Sequence, residues 1–208
     1  MDKALDWNSG LPASNHKAVV KAIQPAKIET KAESKPEDKG DGLPEIVSLP
    51  GMIHNPPPEP PELIYGVMRR GCKCLLTGDS KAGKTFIAMY LAGCLASGSA
   101  FLDMFACSKC KVLYCNFELE DYSVYKRMQK IFEANGWSFD NIKLDFWNLR
   151  GFAAPIEQLV DKIIPRCAAG EYDAVIFDPL YKIQGGDENK AGDMASVTNA
   201  FDRICKSS

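Results

Sequence analysis

The chain has 208 residues, of which 46% are hydrophobic and 25% are charged, and its formal net charge is −2 at pH 7. This length and composition predict a soluble globular protein with one folded domain and a tail. The most apolar stretch, residues 86–96, is far shorter than the roughly 20 residues of a membrane-spanning helix, and the N-terminus has no apolar signal-peptide core. We therefore expect no membrane partner. A reducing cytoplasm is the compartment that suits the cysteine usage best.

Residues 1–60 differ in character from the rest of the chain. Residues 27–45 alternate charges, contain almost no large apolar side chain and are interrupted by Pro36 and Gly40, which is typical of a disordered linker. Residues 54–61 are proline-rich and are predicted to form an extended polyproline II spacer. We therefore predict a disordered, charged and proline-rich tail over residues 1–60 and a folded domain over residues 61–208.

A glycine-rich pattern opens the folded domain. Residues 78–85 (GDSKAGKT) match G-x-x-x-x-G-K-[ST] without a mismatch. Residues 72–77 (CKCLLT) are predicted to form a short buried strand before it, and residues 86–96 a helix packed on a sheet after it. A loop that leads into a helix N-terminus offers backbone N–H groups and the positive end of the helix dipole to an anion. The pattern predicts a phosphate-binding loop for ATP, formed by Gly78, Asp79, Ser80, Lys81, Ala82, Gly83, Lys84 and Thr85.

Individual residues of this loop have predicted roles. Gly78 and Gly83 permit backbone conformations and a close approach that a Cβ atom would hinder. The Lys84 side chain can reach the β- and γ-phosphates, and the Thr85 hydroxyl can bind Mg²⁺. The alternative is a glycine-containing turn that matches the pattern by chance.

The remainder of the chain alternates strands with helices. Strands are predicted over residues 112–117, 142–147 and 174–177, each as an apolar run. Helices are predicted over residues 122–134, from Pro155 to Ile164 with Pro165 kinking or shortening the helix, and over residues 193–205. This alternation predicts an α/β fold with a parallel sheet covered on both faces.

The eight cysteines do not suggest a disulfide framework. Four lie within apolar strand or helix patterns and are predicted to be small core residues: Cys72, Cys74, Cys94 and Cys115. Cys107 and Cys110 have the spacing of a zinc-ligand pair, but neither a second pair nor a histidine follows at zinc-finger distance. A loop is the favoured interpretation of this pair, and metal binding is the alternative.

Acidic residues follow two of the predicted strands. Ligands of open parallel sheets bind beyond the carboxyl ends of the strands, so Asp178 is a candidate Mg²⁺ ligand; an ordinary loop aspartate is the alternative. Glu118 and Glu120 follow the second strand, and either could orient a water for hydrolysis. We prefer Glu118, although alternate residues of an extended segment point the same way and spacing alone does not separate the two. Both could instead be solvated or cap the next helix, for which Asp121 is a plausible N-cap.

These motifs together resemble the RecA-like AAA ATPases close to the RepA-type hexameric replicative helicases of plasmids and phages. The resemblance covers about residues 61–208 and depends on GDSKAGKT, on VLYCNFELED with Arg127 on the following helix, on WNLRG, and on DPLYKIQGGDENKAGD from residue 178. It implies a P-loop ATP hydrolase in which Glu118 is the catalytic base and acts with Lys84. It also implies a homo-hexameric ring with ATP at the subunit interfaces, and single-stranded DNA as a partner.

The resemblance also bears on the C-terminal part of the chain. Lys182 and residues 187–189 (DEN) are candidate sensor or coupling residues, with an ordinary turn at Gly185 and Gly186 as the alternative. Relatives continue into another helix-strand unit, so the resemblance describes a C-terminally truncated core with an uncovered sheet edge. The expected function is a DNA-dependent ATPase of replication. The alternatives are a nucleotide-binding module or inactive fragment without motor activity, and a recombinase-like DNA-binding ATPase.

Overall fold

The computed structural model describes residues 45–152, 156–183 and 191–207, and it describes the side chains of all of these except residues 191–194. The internal contacts divide the chain into two units, Met1–Asn55 and Pro56–Ser208. The predicted domain boundary near residue 60 stays a prediction. Pro155, the predicted start of a helix, lies outside the described residues.

The described part of the first unit contains a short helix, α1 (Leu49–His54). The Ser48 Oγ atom accepts a hydrogen bond from the Gly51 N–H at 3.2 Å, and proline occupies the first turn; both features favour a helix start. All side chains of α1 are exposed. A helix therefore forms within the predicted tail, where we expected none, while residues 1–44 lie outside the described residues.

The second unit is built on two small sheets. A hairpin of β1 (Glu62–Ile64) and β2 (Met68–Arg69) comes first and is antiparallel. The main sheet is parallel and has three described strands in the order β4-β3-β5. These strands are β3 (Val112–Asn116), β4 (Leu144–Asn148) and β5 (Ala174–Asp178). The central strand β3 is buried at every residue, whereas β5 is only half-buried.

Within the described ranges, the parallel sheet is accompanied by four α-helices: α2 (Lys84–Ser97), α3 (Asp121–Asn135), α4 (Ile156–Ala168) and α5 (Ala191–Lys206). Helix α2 ends at Ser97, and its C-cap is Gly98, whose φ of 81° is in the left-handed region that is common after helices. Helix α3 begins after Glu120, so the prediction of Asp121 as the N-cap is wrong. Helix α4 continues through Pro165 to Ala168, so the proline does not end the helix.

The two faces of β3 pack against different helices, because successive side chains of a strand point to opposite faces. Val112 and Tyr114 belong to a core cluster with residues of α2 and α3: Met89, Ala92, Leu95, Val124, Met128 and Phe132. Leu113 and Cys115 belong to a second cluster with residues of α4 and α5: Leu159, Val160, Ile163, Cys167, Val197 and Ala200. The predicted α/β fold, with a parallel sheet flanked by helices, is confirmed.

Residues 72–77 are the main departure from the predicted fold. They form no strand, every one of them is exposed, and Leu75 and Leu76 are 62% and 50% exposed. A strand needs a neighbour to pair its backbone N–H and C=O groups, and no described strand pairs with this segment. The prediction of a buried strand is therefore wrong, as are the predicted core positions of Cys72 and Cys74.

Of the other six cysteines, five are buried and Cys205 is half-buried. Cys94 and Cys115 are 0% exposed, as predicted. Cys107 and Cys110 are each 7% exposed and pack in the core cluster on the α2 side of the sheet. Burial raises the pKa of Cys110 to about 12, which disfavours the thiolate that a metal requires. Over the residues that the structure describes, no three His, Cys, Asp or Glu side chains are grouped to hold a metal ion.

No helix within the described ranges is long and apolar enough to cross a membrane.

Candidate nucleotide-binding site

The N-terminus of α2 has features that favour the binding of an anion. Its N-cap is Gly83, with φ at 83°, and Lys81 before it also has a positive φ of 64°. No side chain in the described part of the chain caps this end of the helix, and the first turn contains no acidic residue. The first N–H groups of a helix have no partner within the helix and carry the positive end of its dipole. A phosphate group would satisfy these donors.

The side chain of Lys84 folds back over the loop. Its Nζ atom donates to the carbonyl oxygens of Gly78 and Asp79, both at 2.7 Å. The ammonium group therefore lies beside the loop backbone, and a bound phosphate would compete with two carbonyl oxygens for it. Thr85 is half-buried in the first turn of α2, and no hydrogen bond of its hydroxyl occurs among the described contacts.

The three parallel strands end in register. Asn148 of β4 and Asp178 of β5 are both paired with Asn116 of β3, and each is the last residue of its strand. Tyr114, two residues before Asn116, points to the same face of the sheet and packs in the core cluster that contains Met89 of α2. The carboxylate of Asp178 therefore lies on the face of the sheet that α2 covers.

A buried tyrosine fixes this carboxylate. The Tyr114 hydroxyl donates to Oδ2 of Asp178 at 2.6 Å, and Tyr114 is 0% exposed. Burial raises the pKa of Tyr114 far above its ordinary value, and the negative charge of Asp178 raises it further. The hydroxyl therefore stays protonated and donates to Asp178. Partners of this kind orient carboxylates that bind metals.

Arg127 of α3 contacts the first turn of α2. Its guanidinium carbon is 4.9 Å from the centroid of the Phe86 ring, in the first turn of α2. The positive charge of Arg127 lowers the pKa of Tyr114 and so opposes the effect of burial. A permanent cation is thus held on the same face of the sheet as the phosphate loop and Asp178.

The structure distinguishes the two candidate glutamates. Glu120 forms an ion pair with Arg150, with 2.5 Å between its Oε1 and the Arg150 Nη1. Glu118 is exposed and makes no ion pair among the described residues. The segment after β3 bends at residues 117–119, so the two side chains do not have equivalent surroundings, contrary to the alternation argument. Among the described residues, Glu118 is therefore the candidate whose carboxylate is not engaged in an ion pair.

No described hydrogen bond or ion pair joins the phosphate loop to Asp178 or to Glu118, so the assigned roles of these residues stay predictions. Lys182 lies in a short 3₁₀ turn (Leu180–Lys182), with its Nζ atom 5.4 Å from the Tyr181 ring centroid. The candidate residues 187–189 and the glycine pair at 185 and 186 lie outside the described residues.

Sequence reasoning missed Tyr114, Asn116 and Arg150. The first two were visible as polar groups in the apolar run VLYCN, at alternate positions that share a face. Their partners depend on the pairing of β3 with β4 and β5, which is not a local property of the sequence. Nothing local to Arg150 pointed to Glu120.

The comparisons with known proteins agree with this geometry. A protein-family model described as an AAA domain matches residues 43–208, which is most of the chain. A search of curated proteins finds no match. The AAA family comprises P-loop ATPases that bind nucleotides. The matched range contains the phosphate loop, the parallel sheet and Asp178. The chain therefore belongs to the AAA domain family of P-loop ATPases.

Proposed function

We propose that this protein binds ATP with Mg²⁺ at the start of α2 and hydrolyses it as a DNA-dependent motor of the RepA helicase type. The observation that carries the proposal is the uncapped, acid-free N-terminus of α2, with the Lys84 ammonium beside it. An end of a helix that exposes N–H donors and a cation is suited to a polyphosphate.

The phosphate loop would bind the substrate in two ways. The free N–H groups at the start of α2 would donate to the β-phosphate, and Lys84 would leave the carbonyl oxygens of Gly78 and Asp79 for the phosphate oxygens. A phosphate oxygen bears more negative charge than a carbonyl oxygen, and charge-assisted hydrogen bonds are the stronger ones. The exchange is therefore favourable once substrate is present.

Two residues would hold the metal. The Thr85 hydroxyl and the Asp178 carboxylate are the oxygen ligands that Mg²⁺ prefers, and Tyr114 keeps Asp178 oriented through its hydrogen bond. Bound Mg²⁺ would neutralise negative charge on the phosphates. Arg127, on the same face of the sheet, contributes a further positive charge.

Glu118 would orient the attacking water and accept its proton. Its carboxylate is exposed and engaged in no described ion pair, whereas Glu120 is bound to Arg150. A carboxylate that is held in an ion pair must leave its partner before it can approach a water, whereas Glu118 has no such described partner. This difference supports Glu118 as the base.

The coupling to DNA and the hexameric ring rest on the resemblance of the sequence motifs to RepA-type helicases. We expect single-stranded DNA to bind the assembled protein and to accelerate turnover. Neither property follows from the family alone.

The test uses two substitutions with matched controls. Lys84→Ala should abolish binding of a fluorescent ATP analogue, whereas Lys143→Ala, which changes an exposed lysine away from the loop, should not. Glu118→Gln should keep ATP binding within about threefold and reduce phosphate release by at least 100-fold, on the order of the contribution of a general base. Glu157→Gln on α4 is its control. Normal turnover in the Glu118 variant would reject its assignment.

A second candidate function is ATP binding without turnover. It is favoured by residues 72–77, which precede the loop, are exposed and pair with no described strand. A loop whose preceding segment is not paired in the sheet would bind phosphate but hold the water and the metal less accurately. Phosphate release measured with and without single-stranded DNA separates the two candidates, because a binding module would show no turnover under either condition.

A further inference from the structure

We propose that Asn116 is a positioning residue that holds the loop carrying Glu118. The proposal rests on the catalytic role proposed for Glu118. Asn116 ends β3 and is 1% exposed, although its strand is otherwise apolar. A polar side chain inside a core is costly unless its donors and acceptors are satisfied. The contacts of this amide therefore indicate what it does.

The Asn116 side chain binds the backbone of the loop that follows it. Its Oδ1 atom accepts from the N–H groups of Glu118 at 3.3 Å and Leu119 at 3.0 Å. Its Nδ2 atom donates to the Leu119 carbonyl oxygen at 2.7 Å. Three of the amide's contacts are thus made to residues 118 and 119, and they fix the bend on which Glu118 is placed.

The fourth contact ties this loop to the rest of the sheet. Nδ2 of Asn116 also donates to Oδ1 of Asn148 at 2.9 Å, and the Asn148 amide in turn donates to the carboxylate of Asp121 at the start of α3. The chain of contacts runs from the loop through the ends of β3 and β4 to a helix N-terminus. The position of Glu118 is therefore set by three elements of the core.

An amide suits this position better than a carboxylate. The two backbone N–H groups need an acceptor, and the Leu119 carbonyl and the Asn148 oxygen need a donor. Asparagine supplies both, whereas an ionised aspartate supplies acceptors alone. Asn116→Asp would place oxygen atoms against the oxygens of Leu119 and Asn148.

The test measures binding, turnover and amide exchange in Asn116→Ala and Asn116→Asp. A displacement of about 1 Å at a catalytic group can cost on the order of 100-fold in rate, so we expect kcat to fall about 10- to 100-fold. The Kd for the ATP analogue should stay within about threefold, because the phosphate loop is untouched. Amide hydrogen exchange should accelerate at Glu118 and Leu119 and not in α2. The control is Asn135→Ala, which removes an amide bonded to a helix carbonyl away from the loop.

The possible results distinguish the positioning role of Asn116 from the catalytic role of Glu118. Parental kcat in both Asn116 variants, or equal losses of ATP binding and turnover with faster exchange throughout β3 and α2, would overturn the positioning role. If Asn116→Ala does not fold, Asn148→Ala removes one link of the network and is judged by the same criteria. Parental turnover in Glu118→Gln would reject the catalytic role of Glu118 and this proposal with it. Turnover lost in Glu118→Gln but intact in the Asn116 variants would reject the positioning role alone.

Discussion

Replacing Tyr114 by phenylalanine tests how Asp178 is held. The substitution removes the hydroxyl that donates to Asp178 at 2.6 Å and keeps the ring, whose centroid is 5.0 Å from that of Phe146. Packing in the core should therefore change little. The Asp178 carboxylate loses this hydrogen bond and becomes free to rotate.

Two magnitudes follow from this geometry. A hydrogen bond to a charged group contributes about 1.5–3 kcal/mol to stability, and since Asp178 is only half-buried and water can replace the lost donor, we expect a loss near 1.5 kcal/mol. Removing the partner of a metal-binding group typically weakens metal affinity about 10- to 100-fold. The Mg²⁺ concentration that half-saturates ATP turnover should rise by that factor.

The assay compares Tyr114→Phe with Tyr172→Phe. Tyr172 is also buried, and its hydroxyl donates to Asp145 at 2.9 Å, but it packs in the cluster on the α4 side of the sheet. Denaturant unfolding should show destabilisation in both variants. A Mg²⁺ titration of turnover, or of binding of the ATP analogue, should show a shift for Tyr114→Phe only. Equal Mg²⁺ requirements in the two variants would refute the reasoning.

Two further predictions concern stability. The raised pKa of Tyr114 keeps its hydroxyl protonated in the folded protein, whereas in the unfolded chain the hydroxyl ionises near its ordinary pKa of 10.0. Because the unfolded state then binds fewer protons, the free energy of unfolding should fall as pH rises above about 10. This fall should be smaller in Tyr114→Phe, and denaturant titrations from pH 8 to 11 would detect it; an identical pH dependence in both proteins would contradict the assignment. A Cβ atom added at Gly93 would lie 2.4 Å from the Trp137 ring. Gly93→Ala should therefore destabilise the protein by about 1–3 kcal/mol, measured by thermal unfolding. An unchanged stability would show that the ring can move away.

The elements that the sequence predicted correctly are those with local signals. The apolar runs of β3 and β5 and the helical spacing of α3 can be recognised within a short window of the sequence. The prediction that Pro165 shortens its helix is wrong, because one lost N–H does not end a helix whose apolar face is well packed: Leu159, Val160 and Ile163 are each less than 5% exposed.

The features that the sequence did not predict have a common physical origin: each depends on contacts between residues that are distant in the sequence. Residues 72–77 have the composition of a strand, but a strand also requires a neighbouring backbone, which composition does not reveal. The difference between Glu118 and Glu120 likewise depends on Arg150, thirty residues later in the chain. The positions of Tyr114 and Asn116 at the site depend on the register of β3 with its two neighbours.

The central claim is that the start of α2 and the end of β5 together bind one Mg²⁺-bound triphosphate. A structure determined with Mg²⁺ and a non-hydrolysable ATP analogue tests it most directly. We predict phosphates on the N–H groups of the α2 start, Lys84 released from the Gly78 and Asp79 carbonyls, and the metal held by Thr85 and Asp178. An analogue bound elsewhere, or a metal that contacts neither Thr85 nor Asp178, would contradict the claim.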